Sequence, residues 1–99
     1  MSKSQEVFTE MLKRNSDAFD SFDWVHQNYT KNPQKWQRTF NIEGERVLEV
    51  IRRYEDILCQ KSQRSGYGKF TTKLSEKFWE IIRARFPKID HVGIIPQNT

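Results

Sequence analysis

The sequence has little of what usually ties a small protein to one chemistry or one compartment. It contains a single cysteine, Cys59, with four glycines and three prolines among 99 residues. One cysteine excludes an internal disulfide bond and fits a reducing compartment. Because glycine and proline are scarce, long stretches are free of helix breakers. We therefore expect long helices and no fold that depends on covalent cross-links.

Long apolar runs are also missing. Apolar residues occur in short groups such as Phe78-Trp79 and Ile94-Ile95, whereas a helix that crosses a membrane needs about 20 consecutive apolar residues. The N-terminal residues 1–6 lack the apolar core of a signal peptide. The sequence therefore predicts no membrane span and a cytoplasmic location.

Aromatic and charged residues are both abundant, at 13% and 30% of the chain. The aromatic side chains provide enough apolar bulk for one core, which predicts a single helical domain over residues 1–99. The net charge is +4 overall, made up of −1 in residues 1–32 and +5 in residues 33–99. A basic C-terminal part permits association with polyanions without identifying one.

The clearest helical pattern covers residues 4–31. At about 100° per residue, its apolar side chains fall on one face without a slip in phase, which predicts one continuous helix. Ser16-Asp17 offers the residues of an N-cap, so a break at this point stays open. The apolar face consists of Val7, Phe8, Met11, Leu12, Ala18, Phe19, Phe22, Val25 and Tyr29.

Two further helices and a tail follow. Asn32-Pro33 ends the first helix and starts a second over about residues 33–63, because proline suits the first position of a helix. A glycine loop is expected at residues 64–70 and a third, shorter helix at about residues 72–86, which Pro87 ends. The tail, residues 87–99, is predicted to be extended and to lie over the core.

The lengths of the first two helices predict that they fold back on each other. The result is an all-α fold, a long antiparallel helical hairpin that a third helix completes in the manner of a three-helix bundle. If the turn is centred on residues 32–33, Phe22 lies opposite Gly44. We expect Gly44 to make room for that phenyl ring, so that Gly44→Leu overpacks the core.

The glycine loop is similar to a phosphate-binding loop only at first sight. Gln63 stands where such a loop has its first glycine, and Phe70 stands where it has the hydroxyl residue. The loop and its flanks do combine cations with aromatic rings, which predicts nucleic-acid or anion binding as an alternative function. The residues concerned are Lys61, Arg64, Tyr67, Lys69, Phe70 and Lys73.

Candidate metal and catalytic sites are weak. Asp17, Asp20, Asp23 and His26 recur every three residues, but each step winds back by about 60° on a helix, so the outer members diverge. Cys59 lacks the sequence context of a nucleophile. We therefore predict no enzyme, no catalytic residues, no cofactor and no metal. His26 falls on the apolar face, where a neutral, buried histidine would make stability fall at mildly acidic pH.

Two apolar surfaces remain for a partner. Trp24 lies about 140° from Phe19 on the first helix, so it is either exposed or covered by the third helix or the tail. The tail adds Ile89, Val92, Ile94 and Ile95. These five residues predict a small, non-catalytic helical module that binds another protein, as an adaptor or regulator. Asn15 is a polar residue in the apolar seam of the first helix. Because such a residue can set the oligomeric state of packed helices, a homodimer is a further alternative.

Overall fold

A computed structural model of the chain describes the backbone of residues 2–64 and 71–95 and the side chains of residues 2–60 and 73–95. These residues form an all-helical fold without strands. Its elements are α1 (Lys3–Arg14), α2 (Ser16–Lys31), α3 (Pro33–Arg64), α4 (Thr71–Arg85) and a 3-10 turn at Ile89–His91. Within the described ranges, none of the helices is long and apolar enough to cross a bilayer.

The first predicted helix is divided at Asn15. This residue has φ −126° and ψ 36°, outside the helical region, and it caps both α1 and α2. Its N–H still donates to the Met11 carbonyl, and its own carbonyl accepts from the Phe19 N–H. The prediction of one continuous helix over residues 4–31 is therefore wrong. The apolar face keeps its phase because helical hydrogen bonds continue on both sides of a single deviating residue.

The start of α3 follows from Asn32-Pro33. Asn32 is the last residue before the helix, and its side-chain oxygen accepts the Lys35 N–H at 3.3 Å. This bond satisfies one of the donors that the first turn of a helix leaves without a partner. From Pro33, α3 continues for 32 residues.

Helices α2 and α3 pack through aromatic rings. Tyr29 stacks on Phe40 with ring centroids 4.0 Å apart. Phe22 also stacks on Phe40, with ring centroids 5.3 Å apart. Ser21 donates to Glu43 farther along the two helices. These contacts place α2 and α3 side by side in the core.

Helix α4 and the residue that follows it, Phe86, add three buried side chains to the core. Phe78, Ile82 and Phe86 are fully buried, and Phe86 meets Phe22 edge-on at 5.1 Å. At the far end, buried Ser4 of α1 donates its hydroxyl to the Leu74 carbonyl at 3.0 Å. The core is therefore shared by all four described helices.

The segment after α4 is not extended. Residues 89–91 form a 3-10 turn, Ile89 is buried with 2% exposure, and Pro87 separates the turn from α4. The prediction of an extended tail is wrong for these residues, because the turn lets Ile89 reach the core while the following backbone returns to α3. We call residues 88–95 the strap.

Gly44 makes room for the strap and not for Phe22. A Cβ placed on Gly44 would lie 2.7 Å from Val92 Cγ1 and closer still to Cγ2. Phe22 instead packs against Phe40 and Phe86. Gly44 does allow another side chain to come close, as expected. That side chain is Val92 of the strap, which the pairing of only two helices could not include.

Gly44→Ala is expected to lower the free energy of unfolding by about 1 to 2 kcal/mol, because the clash with Val92 outweighs a gain in helix propensity of about 1 kcal/mol. In a Val92→Ala background the same change should be neutral or stabilising, since both Val92 methyl groups are gone and the remaining Cβ lies 3.1 Å away. Urea unfolding of the parent chain, the two single variants and the double variant measures both effects. Equal effects of Gly44→Ala in the two backgrounds would show that Val92 is not the obstacle.

Candidate interaction surface

Among the residues whose side chains are described, Trp24 is the largest exposed aromatic residue, with 60% of its surface accessible. It follows fully buried Phe22 by two residues, and two residues turn a helix by about 200°, so the indole points away from the core. Of the two readings left open by the sequence, the exposed one holds in the described chain. The indole meets Trp36 of α3 edge-on at 5.3 Å. We call Trp24 and Trp36 the aromatic corner.

The aromatic corner continues along the contact between α2 and α3. The Ser21–Glu43 hydrogen bond comes next, and then a shallow cavity of about 230 Å³ where Asp17 of α2 and Arg46 and Val50 of α3 meet. We call this strip the front face. Its residues are Asp17, Ser21 and Trp24 on α2 and Trp36, Glu43, Arg46 and Val50 on α3.

The strap residues divide into two groups. Ile89 is buried and Val92 packs against Gly44, so these two predicted contact residues are used inside the chain. Ile94 and Ile95 are 47% and 83% exposed. Of the five residues predicted to bind a protein, only Trp24, Ile94 and Ile95 offer a free apolar surface.

Ile42 is an exposed apolar residue that the sequence reasoning missed, with 71% of its surface accessible. A signal was present, because Ile42 lies about 200° from Phe40 around α3 and so falls outside the buried stripe. At about 100° per residue, Ile42 lies about 40° around α3 from Arg46 and about 120° from Trp36. It is therefore an exposed apolar residue of the same helix that lies away from the aromatic corner.

Polar side chains of α3 hold the backbone of the strap. The Asn41 side chain accepts the Gly93 N–H at 2.8 Å and donates to the Ile94 carbonyl at 2.9 Å. Gln37 donates to the His91 carbonyl at 3.1 Å. Because these bonds are made to main-chain atoms, they fix the path of the strap and place Ile94 and Ile95 at its free end.

A groove of about 410 Å³ lies between α3, α4 and the strap. Its apolar wall includes Trp79 and Leu48, and Arg83 lies over the Trp79 ring while pairing with Asp90 at 2.9 Å. The Trp79 indole N–H donates to Glu55 at 2.7 Å. The groove has the size of a small-molecule site, but two of its charged side chains, Arg83 and Asp90, already pair with each other.

Asp23 and His26 of α2 bond to different partners. Asp23 pairs with Arg85 at 2.8 Å, and this hydrogen bond holds the pKa of the Asp23 carboxyl below its usual value. His26 Nε2 instead accepts the Lys88 N–H at 3.1 Å. The predicted divergence of these side chains around α2 agrees with their separate partners.

Cys59 is half-buried on α3. Burial raises the pKa of its thiol, and the nearby carboxylates of Glu55 and Asp56 raise it further. A raised pKa disfavours the thiolate, which is the form that attacks a substrate.

The alternative nucleic-acid site is only partly visible. Lys73 is exposed near the start of α4. The other residues lie outside the part of the chain whose side chains are described: Lys61, Arg64, Tyr67, Lys69 and Phe70. The glycine loop at residues 65–70 lies outside the described residues as well. Nucleic-acid binding therefore stays a prediction.

No family model matches this chain, and comparisons with curated proteins and with solved structures found no match either.

Trp24→Ala is expected to change the free energy of unfolding by less than about 1 kcal/mol, because a mostly exposed side chain loses little on truncation. Phe22→Ala, two residues away on the same helix, should cost about 3 to 5 kcal/mol because its ring is fully buried. Thermal and urea unfolding of the two variants measure the contrast. A large loss on Trp24→Ala would mean that the indole belongs to the core.

Proposed function

We propose that this chain is a small, non-catalytic helical protein-interaction module that acts in the cytoplasm as an adaptor or regulator. In this proposal, α1–α2 and α3 form a long antiparallel hairpin, α4 is the third helix that completes it, and the front face is the contact surface. The observation that carries the proposal is the exposure of Trp24 beside Trp36.

An exposed indole supports a binding role on energetic grounds. A tryptophan side chain has a surface of about 150 to 250 Å². Covering the exposed part of Trp24 with a partner would contribute about 2 to 4 kcal/mol at the usual value for apolar area. Tryptophan is also among the residues that most often dominate binding energy at protein interfaces.

Polar and charged groups beside the aromatic corner could orient a partner that covers the indole. Asp17 and Glu43 place two negative charges on the front face, and Arg46 places one positive charge there. Of these groups, the Glu43 carboxylate is bonded to Ser21 and lies nearer the two indoles. An apolar anchor with a polar rim is the usual composition of a protein contact site.

The chemical state of the candidate catalytic groups supports a non-catalytic role. His26 gives the lone pair of Nε2 to the Lys88 N–H, so that nitrogen is not available as a general base. Burial and two carboxylates keep the Cys59 thiol protonated. Neither group therefore has the free, activated form that acid–base or nucleophilic catalysis requires.

The proposal predicts that a protein captured by the parent chain from lysate of its source cells binds Trp24→Ala at least about tenfold more weakly, a loss of about 1.4 kcal/mol. Ile42→Ala is the matched control, because it removes a similarly exposed apolar side chain of α3 that lies about 120° around the helix from Trp36. Quantitative mass spectrometry of the captured proteins, followed by titration of the purified partner, measures the difference.

Three outcomes of this experiment would contradict the proposal. Equal capture by the parent chain and Trp24→Ala would remove the front face as the contact surface. Capture that disappears after nuclease treatment would favour the nucleic-acid alternative. Loss of capture with Ile42→Ala alone would move the contact to the outer side of α3. Sedimentation of the purified chain separately decides between a monomer and a homodimer.

A further inference from the structure

The strap is joined to the helices at its first residue by a hydrogen bond to a histidine. The Lys88 N–H donates to His26 Nε2 at 3.1 Å. The bonds from Gln37 and Asn41 to the strap follow later in the chain, at residues 91–94. The histidine bond therefore lies where the strap leaves α4.

His26 is buried among aromatic rings. Its side chain has 8% exposure, and the rings of Phe22, Phe40 and Phe86 lie about 6 Å from the imidazole, at 6.0, 6.0 and 5.8 Å. Little water can therefore reach the ring. Taking up a positive charge in these surroundings is costly because the charge loses its hydration.

The charged groups that face His26 act in opposite directions, because Asp23 favours the charged imidazole whereas Arg85 and Lys88 disfavour it. Arg85, at the end of α4, and Lys88, in the strap, are both cationic, while Asp23 on α2 is the one acidic group among the described neighbours. The Asp23 carboxylate is already paired with Arg85. From α3, the described neighbour of the imidazole is the uncharged ring of Phe40.

The bond to Lys88 requires a neutral imidazole. Nε2 accepts the hydrogen bond, so it carries a lone pair and the other nitrogen carries the proton. Protonation would place an N–H on Nε2 opposite the N–H of Lys88, and two donors would then face each other. Burial, which is the largest effect, holds the pKa of His26 below its ordinary value.

The direction of the pH effect follows from this lowered pKa. When the strap opens and water reaches His26, the pKa returns toward about 6.5. The open state then binds more protons than the closed state as the pH falls below that value. The free energy of opening therefore falls as the pH falls from about 6.5 to the pKa that His26 has in the closed state. Below that pKa the free energy of opening stays constant, because both states are protonated.

We propose that the strap is an acid-sensitive latch, which leaves α2 and α3 when His26 takes up a proton. Opening separates Val92 from Gly44 and widens the groove beside Trp79, which Ile89, Asp90 and Val92 partly line. The latch is independent of the front face, because its contacts lie on the other side of α3. It gives the chain a second surface that depends on pH.

The strap can open without the helices unfolding. It comes after α4, only Ile89 among its residues is fully buried, and Gly93, Ile94 and Ile95 are exposed. The rings that join the helices lie on α2 and α3 or, for Phe86, directly after the last residue of α4. Local opening therefore exposes far less apolar surface than global unfolding does.

The test uses the full ¹⁵N-labelled chain in NMR between about pH 7.5 and about pH 5.5, a range that spans the ordinary pKa of histidine. The imidazole signals of His26 report its titration. Hydrogen exchange of the Val92 and Gly93 amides, corrected for the intrinsic rate at each pH, reports opening. We expect their protection to fall by up to about tenfold at the lower pH, while amides in the middle of α3 keep theirs.

Two variants separate the histidines. In His26→Gln, the side-chain oxygen can accept the Lys88 N–H without titrating, so strap protection should be the same at both pH values. His91 lies in the strap, with Nδ1 3.4 Å from the Tyr29 hydroxyl, and His91→Gln should keep the pH effect. If His91→Gln abolishes the effect, the switch belongs to the other histidine.

The parent chain alone can also overturn the proposal, so it does not depend on how well a variant folds. Strap protection that stays constant while the His26 signals titrate would exclude the latch. Equal loss of protection in the strap and in the middle of α3 would mean that acid unfolds the whole domain. Either result leaves the proposed role of Trp24 intact, because that role is tested by capture.

Discussion

The fold depends on a continuous stack of aromatic rings at the centre of the domain. Tyr29 stacks on Phe40, Phe40 on Phe22, and Phe22 meets Phe86, with centroid distances of 4.0, 5.3 and 5.1 Å. These rings come from α2, α3 and the end of α4, so one cluster sets the relative positions of three helices. Such pairs contribute about 0.5 to 1.5 kcal/mol each beyond the area they bury.

Much of the helical structure is predictable because it is local. The 3.6-residue period marks the apolar faces, and Asn32-Pro33 separates α2 from α3. The break at Asn15 is harder to predict, because the residue keeps its helical hydrogen bonds and leaves the apolar phase unchanged. Its side chain also donates to the Met11 carbonyl at 3.0 Å, a local bond of the kind by which asparagine competes with regular helix. Periodicity alone does not register such a deviation.

The candidate surface is predictable where it depends on one helix and not where it depends on the strap. Trp24 is exposed because of its angle around α2, which the sequence contains. The burial of Ile89 and Val92 depends on a turn after Pro87 and on the missing side chain of Gly44, which come from distant parts of the chain. The sequence-based pairing considered only two helices and could not include the strap. It therefore predicted Phe22, in place of Val92, beside Gly44.

The strap and the core are stabilised by different kinds of interaction. The core depends on buried apolar area, which is non-directional and changes little with pH. The strap adds to the burial of Ile89 and Val92 a few directional bonds between main-chain atoms and the side chains of His26, Gln37 and Asn41. A directional bond is lost when its donor or acceptor changes chemical state, and of these three side chains only the imidazole titrates near neutral pH. One proton at His26 can therefore act on the strap while the aromatic stack beside it keeps the helices together.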